Sequence, residues 1–223
     1  MGVIKDYLKK MERGAKFSKV ESMSKDKFGF DRGKSIDRYY IERFLSENRK
    51  IITGRVMEIA DAKYSKKFGH DVTAFEIFSF DKEHQHATIT GDLTKQETLK
   101  EDFLDCFICT QTYNFIYDFR KAVEGSRKML KPGGVLLTTV AGLCQISRYD
   151  MDRWGDFWRF TDLSIKKSFG EIFGEQNVKV STYGNSLSAS AFVKGLASEE
   201  LTPEELDFND HDYQIVICAA AKK

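Results

Sequence analysis

Residues 103–140 read FLDCFICT, QTYNFIY, DFRKAVEGSRKML, KPGG and VLLTTV in turn, and that order decides the fold. The apolar run 103–110 predicts a core strand, and residues 118–130 predict a helix. Lys131-Pro132-Gly133-Gly134 stops that helix and turns the chain into a further strand over 135–140. Strand, helix and strand in that order make a crossover unit, the connection that parallel strands require.

Outward from this unit the same alternation continues. From residue 55 short β-branched or apolar runs alternate with helical or loop stretches, which predicts an α/β fold with a mostly parallel sheet. Seven strands are expected, at 55–59, 72–80 with a possible interruption, 87–90, 103–110, 135–140, 178–183 and 213–220. Further helices are expected over 163–173 and at Thr202-Pro203-Glu204-Glu205, where Thr caps and Pro takes the first helical position. Before the sheet, Ser35 reads as an N-cap. Ile36, Tyr39, Tyr40, Phe44 and Leu45 recur at helical spacing behind it, up to about Asn48. Residues 1–34 are polar and aperiodic, so they read as a short helix and an arm ahead of one domain over 35–223.

Bulk properties narrow the function. A chain of 223 residues with 35 Lys+Arg against 34 Asp+Glu has a net charge of +1, which gives no broad field to gather nucleic acid. Charges at Lys5, Asp6, Lys9 and Lys10 without an apolar run behind them do not read as a secretory signal. No later stretch reads as a bilayer span, so no membrane insertion is expected and the expected location is cytoplasmic. The four cysteines read as reduced thiols. Cys106 and Cys109, three apart on a strand, point to opposite faces and cannot chelate together. His84 and His86 lack a third ligand at suitable spacing, so no metal is assigned.

In open α/β sheets ligands bind beyond the carboxyl ends of the strands. After the first strand stand Glu58-Ile59-Ala60-Asp61-Ala62, after the second Asp81, after the third Gly91-Asp92-Leu93, and after the fourth Gln111-Thr112-Tyr113. Three of the four ends carry an acid. Carboxylates suit the hydroxyls of a ribose and the amino group of an adenine but repel a pyrophosphate. There is no G-x-G-x-x-G after the first strand and no G-x-x-x-x-G-K-[ST] anywhere, so dinucleotides and nucleoside triphosphates lack their cradle.

Taken in order, residues 54–59, 91–93, 103–112 and 130–137 resemble the motif set of the class I S-adenosylmethionine-dependent methyltransferases, with L-K-P-G-G-x-L before the fifth strand the most specific piece. The resemblance spans about residues 35–221. It implies a doubly wound, Rossmann-like sheet of seven strands, mostly parallel with an antiparallel C-terminal strand, and S-adenosylmethionine as cofactor. It further implies that Glu58, with Ala60 and Asp61, lies near the methionine end. Asp81 would take the ribose hydroxyls, and Asp92, between Gly91 and Leu93, the adenine amino group. Gln111 and Thr112 would line the methionine end. The first motif departs from the family pattern, because Ala60 and Ala62 stand where the family has glycine. The string at 146–161 also resembles a bacterial subgroup, some of whose members are encoded with or fused to glycosyltransferases, which hints at a sugar acceptor.

That same segment, 143–162, is aromatic and charged, and reads as an acceptor-side loop or lid. Methyl transfer to a hydroxyl needs alignment, exclusion of water and a base. Asp150 or Asp152 is the expected base and Tyr149 a positioning group. Arg153, Trp154, Trp158 and Arg159 are the expected acceptor contacts, since aromatic faces with flanking charges suit a sugar ring. Tyr39 and Tyr40, with Arg32 and Arg38, suit a cap over the pocket from the N-terminal side, and the two tyrosines suit core packing equally. The leading expectation is methylation of an oxygen on a small-molecule or sugar acceptor. The alternatives are a catalytically inactive methyltransferase-like binding domain and, less favoured, an oxidoreductase. Exposed aromatics equally suit a homodimer.

Overall fold

A computed structural model describes residues 2–223. An N-terminal helix α1 (Gly2–Phe17) and a looping arm lead to α2 (Ile36–Glu47). The sheet then builds through β1 (Gly54–Ile59), a one-and-a-half-turn helix α3 (Lys63–Phe68), β2 (Val72–Ser79), β3 (Ile89–Thr90) and β4 (Leu104–Thr110). It continues through α4 (Phe119–Met129), β5 (Leu130–Ala141), α5 (Arg148–Met151), α6 (Asp162–Phe173), β6 (Val178–Tyr183), α7 (Ser186–Val193), α8 (Pro203–Asp207) and β7 (Val216–Lys222).

The strands form one sheet in the order β3-β2-β1-β4-β5-β7-β6, with β7 antiparallel to both its neighbours and the other pairings parallel. Strand order reverses between β1 and β4, and the rim above those two strands is therefore the expected ligand crevice. Alternation along each strand splits the core into two layers. Met57, Phe107 and Cys109 face α4 and α6, whereas Val56, Cys106 and Ile108 face α2 and α7. Cys106 and Cys109 thus lie on opposite faces as their spacing requires, and all four cysteines are free.

Several elements differ from expectation. β5 starts at Leu130, immediately after α4, so Lys131-Pro132-Gly133-Gly134 is absorbed into the strand with a register shift opposite Leu104 to Cys106 rather than forming a separate turn. The second strand runs uninterrupted, and the third is only two residues long. The last strand begins at Val216, three residues later than its apolar pattern suggests. Helix α7, rich in Ser and Ala, has no polar face to give it periodicity and went unpredicted. Ser35 precedes α2, but its hydroxyl binds Asp37 instead of capping the helix. Among the described residues no helix is long and apolar enough to cross a membrane.

The arm is fastened to α8 and to the segment that joins it to α7. Arg13 grips Glu205 with two hydrogen bonds of 2.8 and 2.7 Å. Lys16 and Arg32 converge on Glu200, and the backbone pairs at Ser198 to Lys34 and Met23 to Lys194.

Candidate functional site at the strand ends

β1 delivers the first turn. Ala60 has φ 65°, in the left-handed region. Its N–H donates to Phe78 O at 2.9 Å, and Asp61 N–H donates back to Ile59 O at 2.9 Å, closing a γ-turn about Ala60. The turn therefore adopts a backbone that glycine would accept without cost, with an alanine in it. Glu58 is buried, and both its oxygens are used inside the protein. One accepts from the Ser65 N–H at 2.6 Å and from the Ser65 hydroxyl, the other from the Tyr64 N–H at 3.0 Å. Glu58 thus holds the start of α3 against β1. Burial pushes its carboxyl above the ordinary value, against the hydrogen bonds from Ser65 and Tyr64. Asp61, half-buried, accepts from the Lys63 N–H at 3.1 Å and pairs with the Lys63 ammonium at 3.0 Å.

The second turn leaves Phe80 72% exposed beside Asp81, whose Oδ1 takes the Glu83 N–H at 2.9 Å. The third turn is Gly91-Asp92-Leu93. Asp92 Oδ1 accepts from the Thr94 N–H at 2.9 Å and the Thr94 hydroxyl at 2.7 Å, while Oδ2 lies 3.6 Å from the Lys95 ammonium. Burial opposes charge on Asp92, but Thr94 and Lys95 outweigh it and hold the carboxyl below the ordinary aspartate value. What seats this turn is Gly125 in α4, where a Cβ would stand 2.1 Å from the Leu93 carbonyl oxygen. At the fourth turn Gln111 has φ 48° and donates its N–H to Thr139 O at 2.8 Å, and Thr112 turns its hydroxyl back to Thr110 O.

The aromatic segment is tied down at two points. The N–H groups of Phe157 and Trp158 donate to Asn114 O at 2.9 and 3.2 Å, which joins the segment to the loop after β4. Asp156, with its side chain 1% exposed, grips Arg159 through contacts of 2.6 and 2.9 Å and accepts from the Ser147 N–H at 3.0 Å. Burial works against the Asp156 charge, yet Arg159 and Ser147 hold its carboxyl below the ordinary range. The sequence reading passed over Asp156, although its i, i+3 spacing to Arg159 was a signal.

The expected acceptor contacts separate into two groups. Tyr149 and Trp154 are 58% and 52% exposed and meet edge to face, with the Arg153 guanidinium 3.5 Å above the Tyr149 ring. Asp152, Arg153, Trp154 and Phe157 line a cleft of about 580 Å³. Asp150 takes the Ser147 hydroxyl at 2.5 Å, and Asp152 is exposed. Trp158, by contrast, is half-buried against Phe119 and Phe160 and donates its indole N–H to Ile116 O and Tyr117 O at 3.1 Å. Arg159 is consumed by Asp156. These two secure the segment rather than face the cleft.

The expected N-terminal cap also divides. Tyr40 is 1% exposed, donates to Leu206 O and stacks on Tyr183, so it belongs to the core beneath α2 and offers no acceptor contact. Tyr39 donates to Asp207 at 2.8 Å and lines a second, charged cleft of about 530 Å³ with Glu42, Arg43 and Lys67. Arg32 pairs with Glu200. Arg38 alone of the four reaches α3, which follows the β1 turn, donating to the Tyr64 hydroxyl at 3.4 Å.

Residues 52–138, which run from just before β1 into β5, match the family model described as a methyltransferase domain. Among solved structures, the chain is similar to a SAM-dependent methyltransferase from Archaeoglobus fulgidus at 11% identity, covering 83% of this chain and 94% of that one with a TM-score of 0.52. It is likewise similar to a Thermotoga maritima SAM-dependent methyltransferase described as a possible histamine N-methyltransferase, at 14% identity, 84% and 93% coverage and a TM-score of 0.51. A Mesorhizobium loti S-adenosylmethionine-dependent methyltransferase aligns at 10% identity, 84% and 98% coverage and a TM-score of 0.50. No curated protein matches the chain. The structures share the fold, and the family match over residues 52–138 is to a methyltransferase domain.

Proposed function

We propose that this protein moves the methyl group of S-adenosylmethionine to an oxygen of a small-molecule or sugar acceptor held against the aromatic segment. The observation that carries the reading is the placement of Asp61, Asp81 and Asp92 at three successive strand ends beside the point where strand order reverses. The donor set suits the cofactor. Asp81 and Asp92 each keep a carboxylate oxygen free of backbone donors for the ribose hydroxyls and the adenine amino group. The γ-turn about Ala60 leaves that residue exposed for close backbone approach. Gln111 and Thr112 border the methionine end. Glu58 acts one step back, by fixing the turn and α3.

When bound, the cofactor supplies an electrophilic methyl group on a sulfonium. The remaining work falls to the chain. Tyr149, Arg153 and Trp154 would hold and orient the acceptor, and Asp150 or Asp152 would take its proton as the oxygen attacks in line. Asp152 is exposed to do so directly, whereas Asp150 shares its charge with Ser147. The aromatic rings exclude water from the transfer. The resemblance of 146–161 to proteins associated with glycosyltransferases supports a sugar acceptor.

Replacing Asp92 tests the cofactor half. Asp92→Ala should weaken S-adenosylhomocysteine binding by about tenfold, the worth of one hydrogen bond to a charged group. Unchanged affinity would remove Asp92 from the site. A second reading, a binding domain without turnover, is favoured by the alanine at the strained position 60. It predicts acceptor binding with no methyl transfer across a panel of glycosides.

A further inference from the structure

Among the described arginines that stand within ion-pair distance of a carboxylate, Arg13, Arg32, Arg38 and Arg159 have side chains no more than 30% exposed. Three of them close both arms of the guanidinium on one carboxylate. Arg13 holds Glu205, Arg32 holds Glu200, and Arg159 holds Asp156, at distances between 2.5 and 2.9 Å. Arg38 does not. Among the described residues its nearest carboxylate, Asp37, stands 3.9 Å away and its side-chain hydrogen bond is the 3.4 Å contact to Tyr64 Oη, while its carbon Cζ lies 5.8 Å from the centre of the Phe30 ring. A partly desolvated guanidinium matches a planar carboxylate through two parallel N–H···O bonds, and here that fork is open.

Its place in the fold says which carboxylate. Arg38 sits on α2 where the helix meets the start of α3, against Tyr64, at the turn that follows β1. Asp61 lies across the same turn, and it is one of the charges that favour the charged form of Arg38. Arg38 and Asp61 flank a single turn, with the exposed Lys63 ammonium 3.0 Å from Asp61, and this partly buried cation and its opposing anion complement a zwitterion. The rim beyond it carries Asp81 and Asp92, which would repel a carboxylate.

Resting on the cofactor reading above, we propose that Arg38 is the anchor for the amino-acid carboxylate of S-adenosylmethionine, with Asp61 on the ammonium side. The first turn is then read by its charges rather than by a glycine-lined backbone. Ala60 and Ala62 are tolerated because the amino-acid end is held from α2 as well as from the β1 turn.

The test is calorimetric titration of the full chain and its Arg38→Met and Arg38→Lys variants with two ligands. S-adenosylhomocysteine carries the amino-acid end, and 5′-methylthioadenosine lacks it. Arg38→Met should weaken the first by about tenfold or more while leaving the second within about twofold. Arg38→Lys should recover part of the loss, since an ammonium keeps the charge without the fork. Thermal midpoints should stay close to wild type, because among the described residues the ion pair of Arg38 is the long 3.9 Å contact to its sequence neighbour Asp37. Unchanged S-adenosylhomocysteine affinity in Arg38→Met overturns the proposal, as does an equal loss for both ligands, which would mean a lost shape rather than a lost charge. Wild-type protein that binds neither ligand refutes the cofactor reading itself and the anchor with it.

Discussion

At residue 60 the chain keeps a left-handed turn and fills it with alanine. The Cβ penalty in that region is about 1–2 kcal/mol, and a glycine there would cost roughly 0.5–1 kcal/mol in extra freedom of the unfolded chain. Ala60→Gly should therefore change stability little, by less than about 1 kcal/mol and in the stabilising direction, whereas Ala60→Val should destabilise by more because a β-branched residue is worst at positive φ. Urea unfolding of the two variants measures both, and a Val variant as stable as wild type would mean that the turn is not held as described. The sequence reveals that this turn lacks glycines. It does not reveal that the path is retained, because two hydrogen bonds from Ala60 and Asp61 to strand backbone decide that. The acids at 81 and 92 were legible from position alone. The closed partnerships of Glu58 and Tyr40 were not, since their partners at Ser65 and Leu206 become neighbours only through the turn and helix packing around them, whereas the Asp156–Arg159 pair has a local i, i+3 spacing.

Between elements, the decisive contact at the site is α4 against the Asp92 turn. Gly125 lies in mid-helix, where glycine is ordinarily unfavourable by about 1 kcal/mol relative to alanine. Here an added methyl would strike the Leu93 carbonyl oxygen. Gly125→Ala should destabilise by about 1–3 kcal/mol in spite of its better helix propensity, and it should weaken S-adenosylhomocysteine binding by displacing Asp92. Stabilisation of the protein by this change would show that the turn sits away from the helix. A glycine inside an otherwise helical stretch was the available signal, one the reading of residues 118–130 did not use. The strands and long helices of the central crossover were legible because their apolar runs are long. The strand expected at 87–90 shrinks to the two residues of β3, and α3 was not legible, because an element of six residues carries too few positions to show a period.

Across the whole molecule, opposite charges nearly cancel, and the arm is held by ion pairs rather than by apolar surface alone. Burial opposes charge on Glu200, but Arg32 and Lys16 overcome it and lower its carboxyl from 4.5 to about 2. A group depressed in the folded state contributes stability above pH 4.5 and loses it as the pH falls toward about 2. Glu200→Gln should therefore flatten the acid limb of the stability curve in that window, measured by denaturant unfolding at successive pH values. An unaltered limb would assign the acid sensitivity to other carboxylates. The seven-stranded, mostly parallel sheet and its antiparallel last strand agree with what the motif order implied, and the parallel β1, β2 and β3 place the turns of Asp61, Asp81 and Asp92 on one rim. Whether that rim holds the cofactor is most directly tested by calorimetric titration of the full chain with S-adenosylmethionine. The account predicts one site per chain with micromolar affinity, about −8 kcal/mol. Absence of heat at millimolar ligand, together with an unmoved thermal midpoint, would contradict it.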